Sequence, residues 1–333
     1  SRNTNIYKQS LVNKEANEQE FQRIKDNVAL NVINNYLNVM MNKENLSIAD
    51  IQYKFSIEQL ERVKELVAAG IQPRSNVFDA EATLASDQQL LTVAENNYNL
   101  ALLALSQVLQ VPFEGFAVEQ IILNTPSELF LYNDVNSILA HALQNRSEIK
   151  VAEKNIEAAK LGKEISRSGF YPNLSISYGL NTGANFSNLS RDNSFFQQIN
   201  DNRGHSFALR LDIPIFSRFQ NKTALAKAKI QVDNRNLALE QAKVDLESNI
   251  QRAFTDAKAA LKTYVSSQKS VAARQLSFDN AQERYNIGAL NTLDLEQNRA
   301  QLVNAQSSLV RSKYDFIFKT KVLDFYLGKP LNL

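Results

Sequence analysis

Cysteine is absent from the chain, so neither a disulfide nor thiolate chemistry contributes to this protein. Glycine and proline are scarce, nine and six residues, too few turns for a many-stranded chain, and long helices are the natural consequence. No excess of one charge exists either. The 37 basic and 35 acidic residues leave a formal net charge of +2 with neither sign in blocks, which removes any footprint for nucleic acid. No stretch approaches the roughly 18 apolar residues that a membrane helix needs. Ser1 opens directly into polar, helix-patterned sequence. His141 and His205 stand far apart, and neither has a ligand partner at helical metal spacing. No phosphate-binding loop, dinucleotide fingerprint or nucleophile motif is present, so no catalytic residue, metal or cofactor is assigned.

What is present is a duplication. A shift of 218 residues sets Lys25 on Lys243, Glu65 on Glu283, Gly70 on Gly288, Leu109 on Leu327 and Pro112 on Pro330 without a gap. Each copy reads as two helices around a glycine turn. In the second, the first helix runs from about Asn221 to Ile287, on the order of 100 Å at about 1.5 Å per residue. Its partner carries Leu302, Ala305, Leu309, Ser312, Phe316, Lys319, Leu323 and Tyr326 at 3-4 spacing. The counterpart in the first copy is Leu84, Asp87, Leu91, Ala94, Tyr98, Ala101, Leu105 and Val108. A sustained seven-residue repeat marks a coiled coil. Gly70, Gly288 and Gly328 are placed to end helices in a left-handed cap. Between the copies, Phe116 to Leu123 reads as a short strand and Thr125 to Ser127 as a breaker. Helices follow over about 135–144 and 148–167.

The pattern changes at 171–216. Leu174, Ile176, Tyr178 and Leu180 alternate with Asn173, Ser175, Ser177 and Gly179. Phe207, Leu209, Leu211 and Ile213 alternate with Ala208, Arg210 and Asp212. Period-2 alternation gives each strand one apolar and one polar face, here with a polar loop of about 189–203 between the arms. Two readings fit: a soluble hairpin with one face on a core, or a transmembrane β-barrel hairpin with its polar face toward water. The second requires further strands, because an open edge is not tolerated in lipid.

Three segments in this order, HALQNRSEIKVAEKNIEAAKLGKEISRSGFYPNLSISYG (141–179), LRLDIPIFSR (209–218) and YNIGALNTLDLEQNRAQL (285–302), resemble the TolC-like outer-membrane efflux proteins. With the duplication, the resemblance covers essentially the whole chain. It implies a mainly α fold with a β-barrel part: a homotrimer whose hairpins close a twelve-stranded barrel in outer-membrane lipid, above a periplasmic α-barrel. It divides the chain into a helical repeat (1–113), an equatorial segment (114–170), a transmembrane hairpin (171–216) and a second helical repeat (217–333). A family member has two hairpins, so about 100 residues, with a first hairpin, are expected upstream. The implied function is a passive export duct of a Gram-negative-type outer membrane, with a periplasmic adaptor and an inner-membrane pump as partners. It serves either small-molecule efflux or type I protein secretion. A soluble coiled-coil scaffold is the reading from another class. The resemblance places Gly70, Ser75, Asn76, Asp79, Tyr285, Gly288, Asp294 and Gln297 at the periplasmic tip, with Asp294 and Asp79 as constriction carboxylates. Leu290 replaces a basic residue seen in some members. Asn173, Ser175, Ser177, Arg210 and Asp212 are implied to face the barrel lumen.

Overall fold

A computed structural model describes residues 1–119, 130, 132, 134–186 and 194–330. The order of elements is α1 (Arg2–Ala68), α2 (Ser75–Leu109), α3 (Val135–Asn145), α4 (Ser147–Arg167), a 3-10 turn (Ser168–Phe170), β1 (Asn173–Asn181), α5 (Phe195–Asp201), β2 (Gly204–Asp212), α6 (Gln220–Asn286) and α7 (Thr292–Tyr326). The duplication is visible in the lengths: α1 and α6 have 67 residues each, α2 and α7 have 35 each. Among the described residues no helix is long and apolar enough to cross a membrane.

Helix ends obey the same register. At the first turn Gly70 N–H donates to Val67 O and Ile71 N–H to Leu66 O. At the second Gly288 N–H donates to Tyr285 O and Ala289 N–H to Arg284 O. These are the paired bonds of a Schellman cap, which requires positive φ at the glycine, here 75° and 74°. Gly328 closes α7 in the same way, with φ 67°, and Gln110 closes α2 with φ 55°. Gln110 is the counterpart of Gly328 in the repeat, so the cap geometry persists where glycine does not.

Two compact units divide the contacts: Ser1–Glu18 with Lys150–Glu240, and Gln19–Ile149 with Gln241–Leu333. In the first, Gln9 Nε2 donates to Ala158 O at 2.9 Å and Lys154 pairs with Glu15 at 2.6 Å, joining α1 to α4. The same unit carries the antiparallel β1–β2 hairpin. The polar loop between its arms contains a short helix, α5, because Ser194 caps it by accepting from Gln197 N–H; part of that loop lies outside the described residues.

In the second unit the core is built from α1 (Ile33, Leu37, Val39, Met40), α2 (Ala101, Leu102, Leu105) and α7 (Val310, Tyr314, Ile317). The predicted seam is the buried one, with Leu302, Ser312, Phe316 and Leu323 inside. Glu44 ties α1 to α7, accepting from Tyr314 Oη at 2.6 Å and Lys313 Nζ at 2.7 Å. Burial first, then the bond to Glu44, pushes the Tyr314 phenol far up, so it remains a donor. Arg146 stacks 3.9 Å from the Phe325 ring centre and pairs with Asp26 and Glu148. The short strand expected at Phe116–Leu123 is not formed over 116–119, where Phe116 and Val118 instead pack on the helical core; 120–123 and the breaker at 125–127 lie outside the described residues.

Candidate functional site

The β1–β2 register separates the two faces apart from His205, which opposes Leu180 on the apolar side and hydrogen-bonds with the Tyr178 hydroxyl. On one side Leu174, Ile176 and Tyr178 oppose Leu211, Leu209 and Phe207; on the other Asn173, Ser175, Ser177 and Gly179 oppose Asp212, Arg210, Ala208 and Ser206. Apolar side chains therefore share one face with none of the described residues covering them: Ile176 is 65% exposed and Phe207 73%. Seven such residues, Leu174, Ile176, Tyr178, Leu180, Phe207, Leu209 and Leu211, forgo burial worth on the order of 10 kcal/mol in total, at roughly 1.5 kcal/mol each. That is comparable with the entire stability of a domain, so water is not the natural environment of this face. On the opposite face Arg210 Nε and Asp212 form an exposed ion pair at 3.0 Å, and Ser175 Oγ donates to Arg210 O. Thus the five residues expected to line a lumen are brought to one polar face.

At the helical turns each pair closes on its own apolar plug. Leu60, Val63 and Ala80 pack with Val67, Val77 and Leu84 between α1 and α2. Ala281, Tyr285 and Leu295 pack with Phe278 and Leu290 between α6 and α7. Tyr285 is thereby buried, and its hydroxyl has no partner among the described residues. Leu290, in the place of a basic residue, joins this plug. Asp294 sits in the first turn of α7. Its N–H donates to Asn291 Oδ1 at 2.8 Å, and Asn291 Nδ2 donates back to Asp294 Oδ2 at 3.0 Å, a reciprocal helix cap. Asn76 Nδ2 reaches Gln72 Oε1 at 3.3 Å, while Ser75, Asp79 and Gln297 are exposed. Among the described residues no hydrogen bond or ion pair joins one turn to the other.

A buried charge cluster a few turns away was not singled out in the sequence. Arg299 Nη1 donates to Asp87 Oδ2 at 2.6 Å and to Ser56 Oγ at 3.0 Å; Arg299 Nε donates to Glu296 Oε2 at 2.7 Å; Ser56 Oγ also donates to Asp87. The Arg299 and Asp87 side chains are each 8% exposed. Desolvation raises the Glu296 carboxyl above its usual range, more than Arg299 lowers it. The cluster links α1, α2 and α7 and is not duplicated: Asp87 corresponds to Ala305, and Arg299 to Glu81. Asp87 in an otherwise apolar seam was the one available signal. Beside the cluster, α1, α2 and α7 line a cavity of about 420 Å³ that includes Gln52, Asn97 and Asn304. Among the described residues no group of three His, Cys, Asp or Glu is arranged to hold a metal.

The family model described as "Outer membrane efflux protein" matches residues 138–329. The pyoverdine export outer membrane protein OpmQ of Pseudomonas aeruginosa is 23% identical over 310 residues, covering 92% of this chain and 62% of OpmQ. The alkaline protease secretion protein AprF of the same organism is 20% identical, covering 97% of this chain and 66% of AprF. The chain thus spans under two thirds of the length of either relative. Among solved structures, the outer membrane protein VceC of Vibrio cholerae superimposes with a TM-score of 0.78 at 18% identity, over 99% of this chain and 77% of VceC. At that identity the likeness speaks for the fold.

Proposed function

From the premise that the chain belongs to the outer membrane efflux protein family, we propose that it is the outer-membrane duct of a tripartite export system, a passive conduit from periplasm to exterior. The β1–β2 hairpin supplies two strands to a closed barrel, and α1, α2, α6 and α7 line a periplasmic tunnel. The observation that carries this reading is the two-faced hairpin. Its uncovered apolar side suits lipid, and its side of Asn173, Ser175, Ser177, Arg210 and Asp212 suits a wet lumen. Two strands have two open edges, which lipid forbids, so closure requires other copies. A homotrimer with a twelve-stranded barrel meets that need, with a periplasmic adaptor and an inner-membrane pump supplying energy. The cargo is a small molecule or a protein: the relatives' names pair one with pyoverdine and the other with a protease.

The test places lysine on each face of full-length protein. Ile176→Lys puts a charge toward lipid at mid-strand and costs about 2–4 kcal/mol of barrel stability, whereas Ser177→Lys faces water and assembles normally. Equal assembly of the two variants, or a wild-type protein that stays dispersed without detergent, would overturn the reading. At the far end, Asp294 and Asp79 form acidic rings around the narrow aperture. Asp294 accepts from Asn291, so the carboxylate is held near the turn and three copies would attract cations. The Asp294→Asn/Asp79→Asn double variant therefore loses cation preference in a planar bilayer; unchanged selectivity would leave Asp294 as a helix cap alone.

A further inference from the structure

Where strands give way to helices, the first unit carries a second exposed surface. Asn221 Nδ2 donates to Gly169 O at 2.5 Å, which places the corner before β1 beside the corner after β2. Gly169 leaves room for this contact, because a Cβ would stand 3.0 Å from Asn221 Oδ1 and the Asn221 side chain would have to shift. The joined corners present Phe170, Tyr171, Ile215, Phe216 and Phe219 outward; Ile215 is 95% exposed and Phe216 76%. Arg218 and Phe219 are consecutive non-glycine residues at φ 48° and 62°, a conformation that L-residues avoid unless their surroundings hold them in it. From Ile213 to Val232 there are four basic residues, Arg218, Lys222, Lys227 and Lys229, and no acidic one. All four are exposed. Arg218 forms no ion pair among the described residues, and Lys222 Nζ has only the Phe219 ring, 6.0 Å away. Arg167, at the end of α4, meets Glu164 only at 3.8 Å.

We propose that this corner binds the headgroups of anionic phospholipids in the leaflet nearest the helices. The inference rests on the barrel reading above and adds a lipid preference to it. Exposed aromatic rings beside an apolar strand face belong at a bilayer boundary, with ring bodies in the acyl region and polar edges outside. A zwitterionic lipid satisfies the rings, but its phosphate is balanced by its own ammonium group and brings Arg218 and Lys222 no net counter-charge. A phosphate with net negative charge satisfies both, and the charge balance of the corner selects it.

The experiment uses full-length protein in nanodiscs of equal parts phosphatidylethanolamine and phosphatidylglycerol, with retained lipid counted by native mass spectrometry during delipidation. Wild type retains phosphatidylglycerol preferentially, and the preference collapses in about 1 M salt, where the Debye length is about 3 Å. Arg218→Asn, chosen because asparagine tolerates positive φ, and Lys222→Gln each lower the preference about fivefold. Equal retention of both lipids by wild type, or an unchanged preference in the double variant, overturns the proposal while leaving an inserted barrel intact. A double variant that changes oligomeric state with lipid preference unaltered would reassign the corner to contacts between copies, and overturns it too. Failure of wild type to insert would sink the barrel reading itself.

Discussion

Replacing Arg299 by alanine removes the centre of the buried cluster and leaves Asp87, 8% exposed, with the Ser56 hydroxyl as its remaining partner. An uncompensated buried carboxylate of this kind costs about 3–5 kcal/mol. The reverse change is milder. Asp87→Ala strands no charge, because Arg299 keeps Glu296 at 2.7 Å, and the loss is one charge-assisted hydrogen bond of about 1.5–3 kcal/mol. Replacing both, Arg299→Met with Asp87→Leu, removes the most buried pair and puts an apolar residue at a seam position flanked by Leu84 and Leu91; Glu296, with its side chain 21% exposed, turns to water, so the double variant loses less than either single one. The order of damage is therefore Arg299→Ala, then Asp87→Ala, then the double replacement. Hydrogen exchange on full-length protein in detergent reads it locally, in peptides around Ser56, Asp87 and Arg299. For Arg299→Ala, protection in these peptides falls by more than a hundredfold, at about 1.4 kcal/mol per decade, while β1 and β2 are unchanged. Equal losses in the two single variants, or a double variant as damaging as their sum, would refute the reasoning.

Glu296 makes the same region pH-dependent. Its carboxyl is raised by desolvation, so the folded state binds the proton more tightly than the unfolded chain. That contribution is complete below the ordinary carboxylate range and is lost as pH rises through the raised value. Glu296→Gln removes this part of the pH profile, measured by urea unfolding of the helical signal between mildly acidic and neutral pH. At the turns, a Cβ added at Gly70 or Gly288 meets no atom within 4 Å, so the cost of Gly70→Val and Gly288→Val is chiefly backbone strain, about 1–2 kcal/mol each. Thermal melts should show that modest loss. If the turns flank the adaptor-docking surface, export falls at matched protein levels while the barrel stays folded.

The sequence by itself determined the duplication, the limits of α3, α4 and α6 to within a residue, the capping glycines and the two faces of the hairpin. All of these are local or periodic. A Schellman cap is settled by residues within one turn of Gly70 or Gly288, and strand alternation by neighbours two apart. The charge cluster was decided only in three dimensions. Ser56 and Asp87 are 31 positions apart, Asp87 and Arg299 are 212, and Ser56 and Arg299 are 243. To a heptad pattern Asp87 is one polar interruption, and Arg299 and Glu296 are ordinary charges on α7. The cap at Gln110 and the helix α5 inside a polar loop belong to the same class, since neither glutamine nor a loop of asparagine, serine and aspartate declares its backbone conformation. Periodicity specifies which face of an element is apolar. Which buried charge meets which depends on how three helices come to lie side by side, and that is a property of packing.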